Sequence, residues 1–526
     1  MAAVRNILFI MCDQLRADHL SCYGHAALST PSIDRLAKRG VRFERAFVQS
    51  GVCGPSRMSF YTGRYVASHG ATWNRVPLSV GELTLGDHLR GRGLTLALAG
   101  KTHVVPDTHG LARFQLEGDS ELGALMREGG FVPLDRYDGH GPPGKESGYA
   151  DFLRWQRYAC ADPWSDYVIS VRKPDGTVAS GWQMRNVRYP ARVKEEHSET
   201  AYMTDRAAHF IREQGKQPWV LHLSYVKPHW PYVAPAPYHA MFSKKDCSPP
   251  LRDRSEFHDP HPVYAAYREH EESVNFSRDE VIDTVKPVYM GLIRQIDDHL
   301  GRLWQLFDEL DLWNDTLIVF TSDHGDYLGD HWLGEKELFY DSILRVPFLL
   351  YDPDPAADAT RGTAEERFVE AVDAVPTFLQ ALGIESPRHW IEGRSLLTLT
   401  RAGAATRGES PSWRDCVFSE LDYSFRKARH VLGRKPRECR GWMVRTDDWK
   451  YIHWQGYRPQ LFDLWADAHE FHDLGADPRT ETIRSALHEK LFDWLSGRNR
   501  RTTISDEEVE ARTDAHKRHG IFFGVW

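Results

Sequence analysis

Short apolar runs and helix-period patterns alternate along most of this chain. Residues 7–12, Ile7-Leu8-Phe9-Ile10-Met11-Cys12, are continuously apolar and too short to span a membrane, and they read as a strand buried on both faces. Similar β-rich runs lie at 94–99, 219–224 and 316–321, with helical patterns at 32–39, 199–212 and 278–310. Strands alternating with helices predict an α/β fold, a mostly parallel sheet flanked by helices on both faces. Residues 113–193 are rich in Gly, Pro and aromatics with weak periodicity, and are expected to form an excursion over the rim of a site. After about residue 387 the pattern changes to three β-like runs, 416–420, 442–454 and 460–464, followed by a helix near 480–495. The expected organisation is a large domain over 1–387 and a smaller C-terminal subdomain over 388–526 built on an antiparallel sheet.

At 526 residues the chain suits one large α/β domain with an appendage. Its 66 basic and 74 acidic residues leave a net charge of −8 with no long basic run, which argues against nucleic acid or an anionic membrane as partner. An anionic small molecule must be met by local charge instead. The seven cysteines (12, 22, 53, 160, 247, 416 and 439) are scattered and odd in number, so neither a disulfide framework nor a zinc ribbon is indicated. No cleavage-site pattern precedes the first apolar run, and a cytoplasmic location is expected. On that expectation the glycosylation-like triplets at Asn275 and Asn314 are chance matches. The tail Gly520-Ile521-Phe522-Phe523-Gly524-Val525-Trp526 is too apolar for a free end in water; docking on its own chain or on a neighbour, in a homo-oligomer, is expected.

In a sheet of this kind functional residues gather beyond the strand ends. Asp13 follows the first strand, Lys101 the 94–99 run, His229 the 219–224 run and Asp323 the 316–321 run. Asp13-Gln14 and Asp323-His324 supply two carboxylates, an amide oxygen and an imidazole, a set that holds one divalent cation with a vacant position. Either pair alone would be an ordinary cap or turn. Lys101 and His103, in Gly100-Lys101-Thr102-His103, are placed for an anion contact and a proton transfer. The prolines of Lys227-Pro228-His229-Trp230-Pro231 stiffen the segment that presents His229. Lys336 follows Asp323 by a short loop and is expected to meet the same anion, as is Asn74 between Trp73 and Arg75. In Cys53-Gly54-Pro55-Ser56-Arg57, Pro55 suits the first turn of a helix that buries Phe60 and Tyr61 and aims its free N–H groups at residue 53. Arg57, one turn on, adds a fixed positive charge.

Cys-x-Pro-x-Arg at 53–57, Lys227-Pro228-His229, Thr321-Ser322-Asp323-His324-Gly325, and Leu461-Phe462-Asp463-Leu464 with Asp473-Leu474-Gly475-Ala476-Asp477-Pro478 occur in one family's order. Over nearly its whole length the chain resembles the type I sulfatase and phosphonate monoester hydrolase branch of the alkaline phosphatase superfamily. The resemblance implies an alkaline-phosphatase-like fold and a Cys53 oxidised to formylglycine by a formylglycine-generating enzyme. It also implies one divalent metal on Asp13, Gln14, Asp323 and His324, Ca2+ favoured over Mn2+, and anion contacts from Arg57, Asn74, Lys101, His229 and Lys336. A hydrated aldehyde offers one hydroxyl to attack sulfur or phosphorus and a second to release the product. In that scheme His229 and Lys336 serve the leaving oxygen and His103 takes the proton of the second hydroxyl. Asp13-Gln14 resembles the phosphonate hydrolase version, where sulfatases carry Asp-Asp, and so does the segment 232–242; Gly100-Lys101-Thr102-His103 resembles the sulfatase signature. The resulting expectation is an arylsulfatase-like hydrolase of sulfate monoesters. Its alternative is a phosphonate monoester or phosphodiester hydrolase on the same site, and its rival a non-catalytic anion-binding module.

Overall fold

Strand β1 (Asn6–Asp13) is buried along its whole length, as a continuous apolar run requires. The computed structural model describes residues 4–118, 120–139, 141–142, 147–401, 413–498, 501–520 and 522. Further strands are β2 (Val41–Phe47), β3 (Leu96–Gly100), β4 (Phe131–Arg136), β5 (Ser170–Arg172), β6 (Val178–Ser180), β7 (Val220–Pro228), β8 (Thr316–Ser322), β9 (Arg345–Tyr351), β10 (Thr363–Glu365) and β11 (Val369–Glu370). Strands β12 (Val417–Asp422), β13 (Arg440–Arg445), β14 (Trp449–Trp454) and β15 (Gln460–Asp463) come last. The main sheet runs β10-β2-β9-β8-β1-β7-β3-β4, with β11 also paired to β2. Every pairing in it is parallel except the two made by β9, so the expected mostly parallel sheet is observed.

Alternate side chains of β1 feed opposite cores: Ile7, Phe9 and Met11 on one face, Leu8, Ile10 and Cys12 on the other. Each such fully buried side chain contributes roughly 1.5–3 kcal/mol relative to exposure. Helices α1 (Pro31–Arg39), α3 (Glu199–Gln214) and α4 (Asp279–Glu309) place Ile33, Met203 and Leu292 in the second core. Helix α2 (Cys53–Thr62) packs Met58, Phe60 and Tyr61 into the first.

Several expectations are corrected. Strands β2 and β9 were not among the predicted runs: β2 alternates Val, Phe and Ala with Arg and Glu, and β9 carries Pro347. The 113–193 stretch is not wholly an excursion, because β4 within it is an edge strand of the main sheet, where Pro133 is tolerated. The single run 442–454 is two strands, β13 and β14, paired antiparallel around a turn at Thr446. They belong to a four-stranded antiparallel sheet, β12-β13-β14-β15, covered by helix α5 (Glu481–Ser496), whose Trp494 stacks on Phe418 at 4.4 Å. Buried Lys450 ties this sheet to the main body through Phe339 O at 2.9 Å and Asp341 at 2.6 Å. Of the apolar tail, residues 521 and 523–526 lie outside the described residues, and Phe522 is exposed. No helix among the described residues is long and apolar enough to cross a membrane.

Candidate active site

Four neighbouring strands, β8-β1-β7-β3, end at one edge of the sheet, and their C-terminal ends carry Asp323, Asp13, His229 and Lys101. Helix α2 points its first turn at the same edge. The helix begins at Cys53 itself, two residues before the proline read as its opening turn. Cys53 Sγ lies 3.1 Å from His324 Nε2, 3.2 Å from Lys336 Nζ and 3.8 Å from Asp13 Oδ1. Arg57, fully buried, donates from Nε to Asp323 at 2.7 Å and from a terminal nitrogen to Lys101 O at 3.0 Å and Ser224 Oγ at 2.8 Å. Lys101 pairs with Asp13, and Lys336 donates to His229 Nε2 at 2.9 Å. His229 is oriented in turn by the Trp230 carbonyl, 2.6 Å from its Nδ1.

Asp13, Cys53, Asp323 and His324 each offer one ligand atom within 4.8 Å of the others. Two observations, on His324 and Asp13, fit this group to a divalent cation, and Gln14 lies beside it. His324 gives Nδ1 to the Gly325 carbonyl at 2.8 Å, which turns Nε2 inward, and burial lowers its pKa so that the ring stays neutral. Gln14 gives Nε2 to Asp326 at 2.6 Å, which turns Oε1 toward Lys336 Nζ, 3.4 Å away. Burial alone would raise the Asp13 carboxyl, but His229, Lys101, Arg57 and Lys336 hold it well below the usual carboxylate range. Gln14 adopts φ 66, a conformation that costs a non-glycine residue ~1–2 kcal/mol. Its backbone is fixed by Asp323 Oδ1 at 3.0 Å and by the Tyr289 hydroxyl at 2.7 Å.

The Cys53 thiol is pushed up to about 11 by burial and by Asp13. A thiol that keeps its proton at neutral pH is a weak nucleophile. Burial opposes the Lys336 charge, yet Cys53, Glu335 and Asp13 push its pKa up, so it stays an ammonium. Half-buried His103 is held well below its ordinary value by burial, then by Lys101 and Arg57, and is a neutral base. Its backbone N–H, like that of Thr102, donates to Asp138.

Asn74 reaches the site through the residue next to Cys53: Gly54 N donates to its Oδ1 at 2.7 Å. A Cβ on Gly54 would stand 2.8 Å from that oxygen and 3.2 Å from the Asn74 Cα. Gly54→Ala is therefore expected to displace Asn74, lowering kcat/KM about tenfold with a loss of ~1–2 kcal/mol in stability. Parallel kinetics and thermal melts check this; unchanged values for both contradict it. The structure thus brings Asp13, Gln14, Cys53, Arg57, Asn74, Lys101, His229, Asp323, His324 and Lys336 together, with His103 in the field of the same charges. Sequence reading missed Asp326, which orients Gln14 and is itself held by the Tyr232 hydroxyl at 2.6 Å. Its position three residues past Asp323, on the same strand-end turn, was the available signal.

Residues 5–384 match the Sulfatase family. The chain belongs to the sulfatase family. Residues 329–496 also match the C-terminal part of N-sulphoglucosamine sulphohydrolase. Among relatives, the chain is 32% identical to the multifunctional alkaline phosphatase superfamily protein PehA of Trinickia caryophylli, over 93% of this chain and 95% of that protein. It is 26% identical to an arylsulfatase of Clostridium perfringens, over 97% and 96%. The phosphonate monoester hydrolase of Silicibacter pomeroyi superposes with a TM-score of 0.81 at 27% identity, over 95% of this chain and 98% of that one. The fold is alkaline-phosphatase-like, and the family membership makes this chain a hydrolase whose site calls for a divalent metal and a formylglycine.

Proposed function

We propose that this sulfatase family member hydrolyses sulfate monoesters with a formylglycine formed from Cys53, and that phosphonate monoesters are a second substrate class at the same site. One observation carries the reading: Cys53 sits at a helix start within contact of His324 and Lys336, in a fully buried cluster with Asp13, Asp323, Arg57 and Lys101. Formylglycine supplies, once hydrated, a hydroxyl nucleophile that a protonated thiol does not. A divalent cation on Asp13, Gln14, Asp323 and His324, Ca2+ before Mn2+ because three of the four donors are hard oxygens, supplies Lewis-acid polarisation of the ester oxygen.

The chain's own residues do the rest. Arg57, Lys101 and Lys336 balance the carboxylates of Asp13, Asp323 and Glu335, so that with a divalent cation in place the site would carry the net positive charge that attracts a monoanionic ester, and Asn74 fixes the turn beside residue 53. His229 and Lys336, bonded to each other, meet the leaving oxygen, and Lys336 brings a proton there. His103, held neutral, accepts a proton during product release. Cys53 is wholly buried, so a formylglycine-generating enzyme must reach it before the chain folds. In this reading residues 1–387 carry the chemistry and 388–526 form the smaller unit, in a cytoplasmic homo-oligomer.

Asp13-Gln14 and the superposition on a phosphonate monoester hydrolase favour the second substrate class. Lys101 and His103 separate the two. Lys101→Ala is expected to reduce kcat/KM for an aryl sulfate about tenfold more than for an aryl phosphonate, ~1.4 kcal/mol of differential transition-state binding. His103→Ala is expected to add a burst of phenol followed by slow turnover, because release lacks its base. Equal losses on both esters with no burst would assign these residues to general anion binding.

A further inference from the structure

Two irregular segments flank Cys53. One carries Asn74, which accepts from Gly54 N; the other carries Lys336, 3.2 Å from Cys53 Sγ. The Lys336 segment is strained: Glu335, Glu337 and Leu338 have φ of 65, 81 and 53, all left-handed and none of them glycine. Each such residue costs on the order of 1–2 kcal/mol and persists only where its surroundings over-determine it. Tyr327 donates to the Glu337 carbonyl at 2.7 Å, and Glu337 N donates to Gly51 O at 3.1 Å. The Glu337 carboxylate is met by Arg426, whose Nε lies 2.9 Å from Oε2 and which also pairs with Glu272.

Arg426 does not belong to the main sheet; it stands in the turn that follows β12 of the smaller one. The same turn grips the other segment. Asp422 accepts from Thr72 Oγ1 at 3.0 Å, and Phe425 stacks on Trp73 with ring centroids 5.8 Å apart and planes 10° apart. Phe425 is 59% exposed, so this contact is not core packing. One five-residue turn, 422–426, therefore holds the neighbours of Asn74 on one side and the neighbour of Lys336 on the other.

We propose that the turn 422–426 is a clasp that positions Asn74 and Lys336 on either side of residue 53, so that the smaller sheet is a working part of the hydrolytic site. Asp422, Phe425 and Arg426 are positioning residues: they act through Asn74 and Lys336 and reach no reacting atom themselves. The inference rests on the reading above that Lys336 serves the leaving oxygen. Without Arg426 the buried Glu337, whose pKa burial already pushes up to about 7, takes up a proton, so the ion pair that holds the strained backbone beside Lys336 is lost and that backbone relaxes.

The test compares Arg426→Gln, Arg426→Lys and Phe425→Ala with wild type on aryl sulfates of graded leaving-group acidity, alongside amide hydrogen exchange. Arg426→Gln is expected to lower kcat about 10- to 100-fold with KM changed less than about threefold. The loss should grow as the leaving group becomes more basic, because a displaced Lys336 no longer meets the leaving oxygen. Arg426→Lys should recover most of the rate, and Phe425→Ala, altering an exposed ring, should lower kcat/KM about fivefold. Exchange should quicken in residues 334–339 of Arg426→Gln while β1 and β8 keep wild-type protection. A loss that is uniform across leaving groups and accompanied by faster exchange throughout overturns the clasp in favour of plain structural support. Wild-type rates and exchange in all three variants overturn it outright. Should wild type hydrolyse no ester, the functional reading fails, and the exchange comparison alone still decides the clasp.

Discussion

Cys53→Ala is expected to abolish turnover, by about 10⁴-fold or more in kcat/KM for both ester classes. The fold should survive. Sγ is one buried atom at the start of a ten-residue helix, and its removal costs on the order of 1 kcal/mol, a few degrees in melting temperature at most. Metal content should be unchanged, because Asp13, Gln14, Asp323 and His324 remain. Cys53→Ser should behave nearly as badly, since an unactivated hydroxyl replaces a hydrated aldehyde. Kinetics, thermal melts and elemental analysis on the same preparations check the three claims. A variant with wild-type turnover, contaminating hydrolase excluded, contradicts the nucleophile assignment.

Asp13→Asn and Asp323→Asn are expected to lose metal and activity together, with kcat/KM falling about 10³-fold. Carboxylate charge supplies most of a hard cation's affinity. In this site it also offsets buried cations: Asp13 faces Lys101 and Arg57, and Asp323 faces Arg57. Neutralising either leaves buried positive charge without its partner, so both variants should be less stable near neutral pH. The sign with pH follows from the depressed Asp13 value. Its contribution is present above the unfolded carboxylate pKa of ~3.9 and is lost as pH falls toward the lower folded one. The stability gap between wild type and Asp13→Asn should therefore hold from pH 7 to 5 and close only in strong acid. Full metal content in both variants after dialysis would mean that the ligands lie elsewhere.

Much of the fold was legible where burial is two-sided. Strands β1, β7 and β8 sit in the middle of the sheet; the runs 7–12 of β1 and 317–320 of β8 are apolar without interruption, and β7 is broken only by His222 and Ser224 before its polar end. Strands β2, β4 and β9 were not legible, because charge alternation in β2 and prolines in β4 and β9 erase that signal. The hairpin β13–β14 was read as one run because the apolar residues Trp442, Met443 and Val444 reach almost to Thr446 and the β-rich pattern resumes at Trp449. At the site, the strand-end residues Asp13, Lys101, His229 and Asp323 were readable from chain order alone. Their pairing was not: nothing in the sequence joins Lys101 to Asp13, Gln14 to Asp326 or Arg426 to Glu337, contacts that span 88, 312 and 89 positions of chain and exist only once the sheet has assembled.

The central claim is that residue 53 works as an aldehyde and not as a thiol, and the mass of the peptide containing it tests this most directly. In protein produced with a formylglycine-generating enzyme, that peptide should be lighter by the exchange of one sulfur and two hydrogens for one oxygen. The modified fraction should track specific activity across preparations. A fully active protein whose residue 53 retains its thiol would contradict the account.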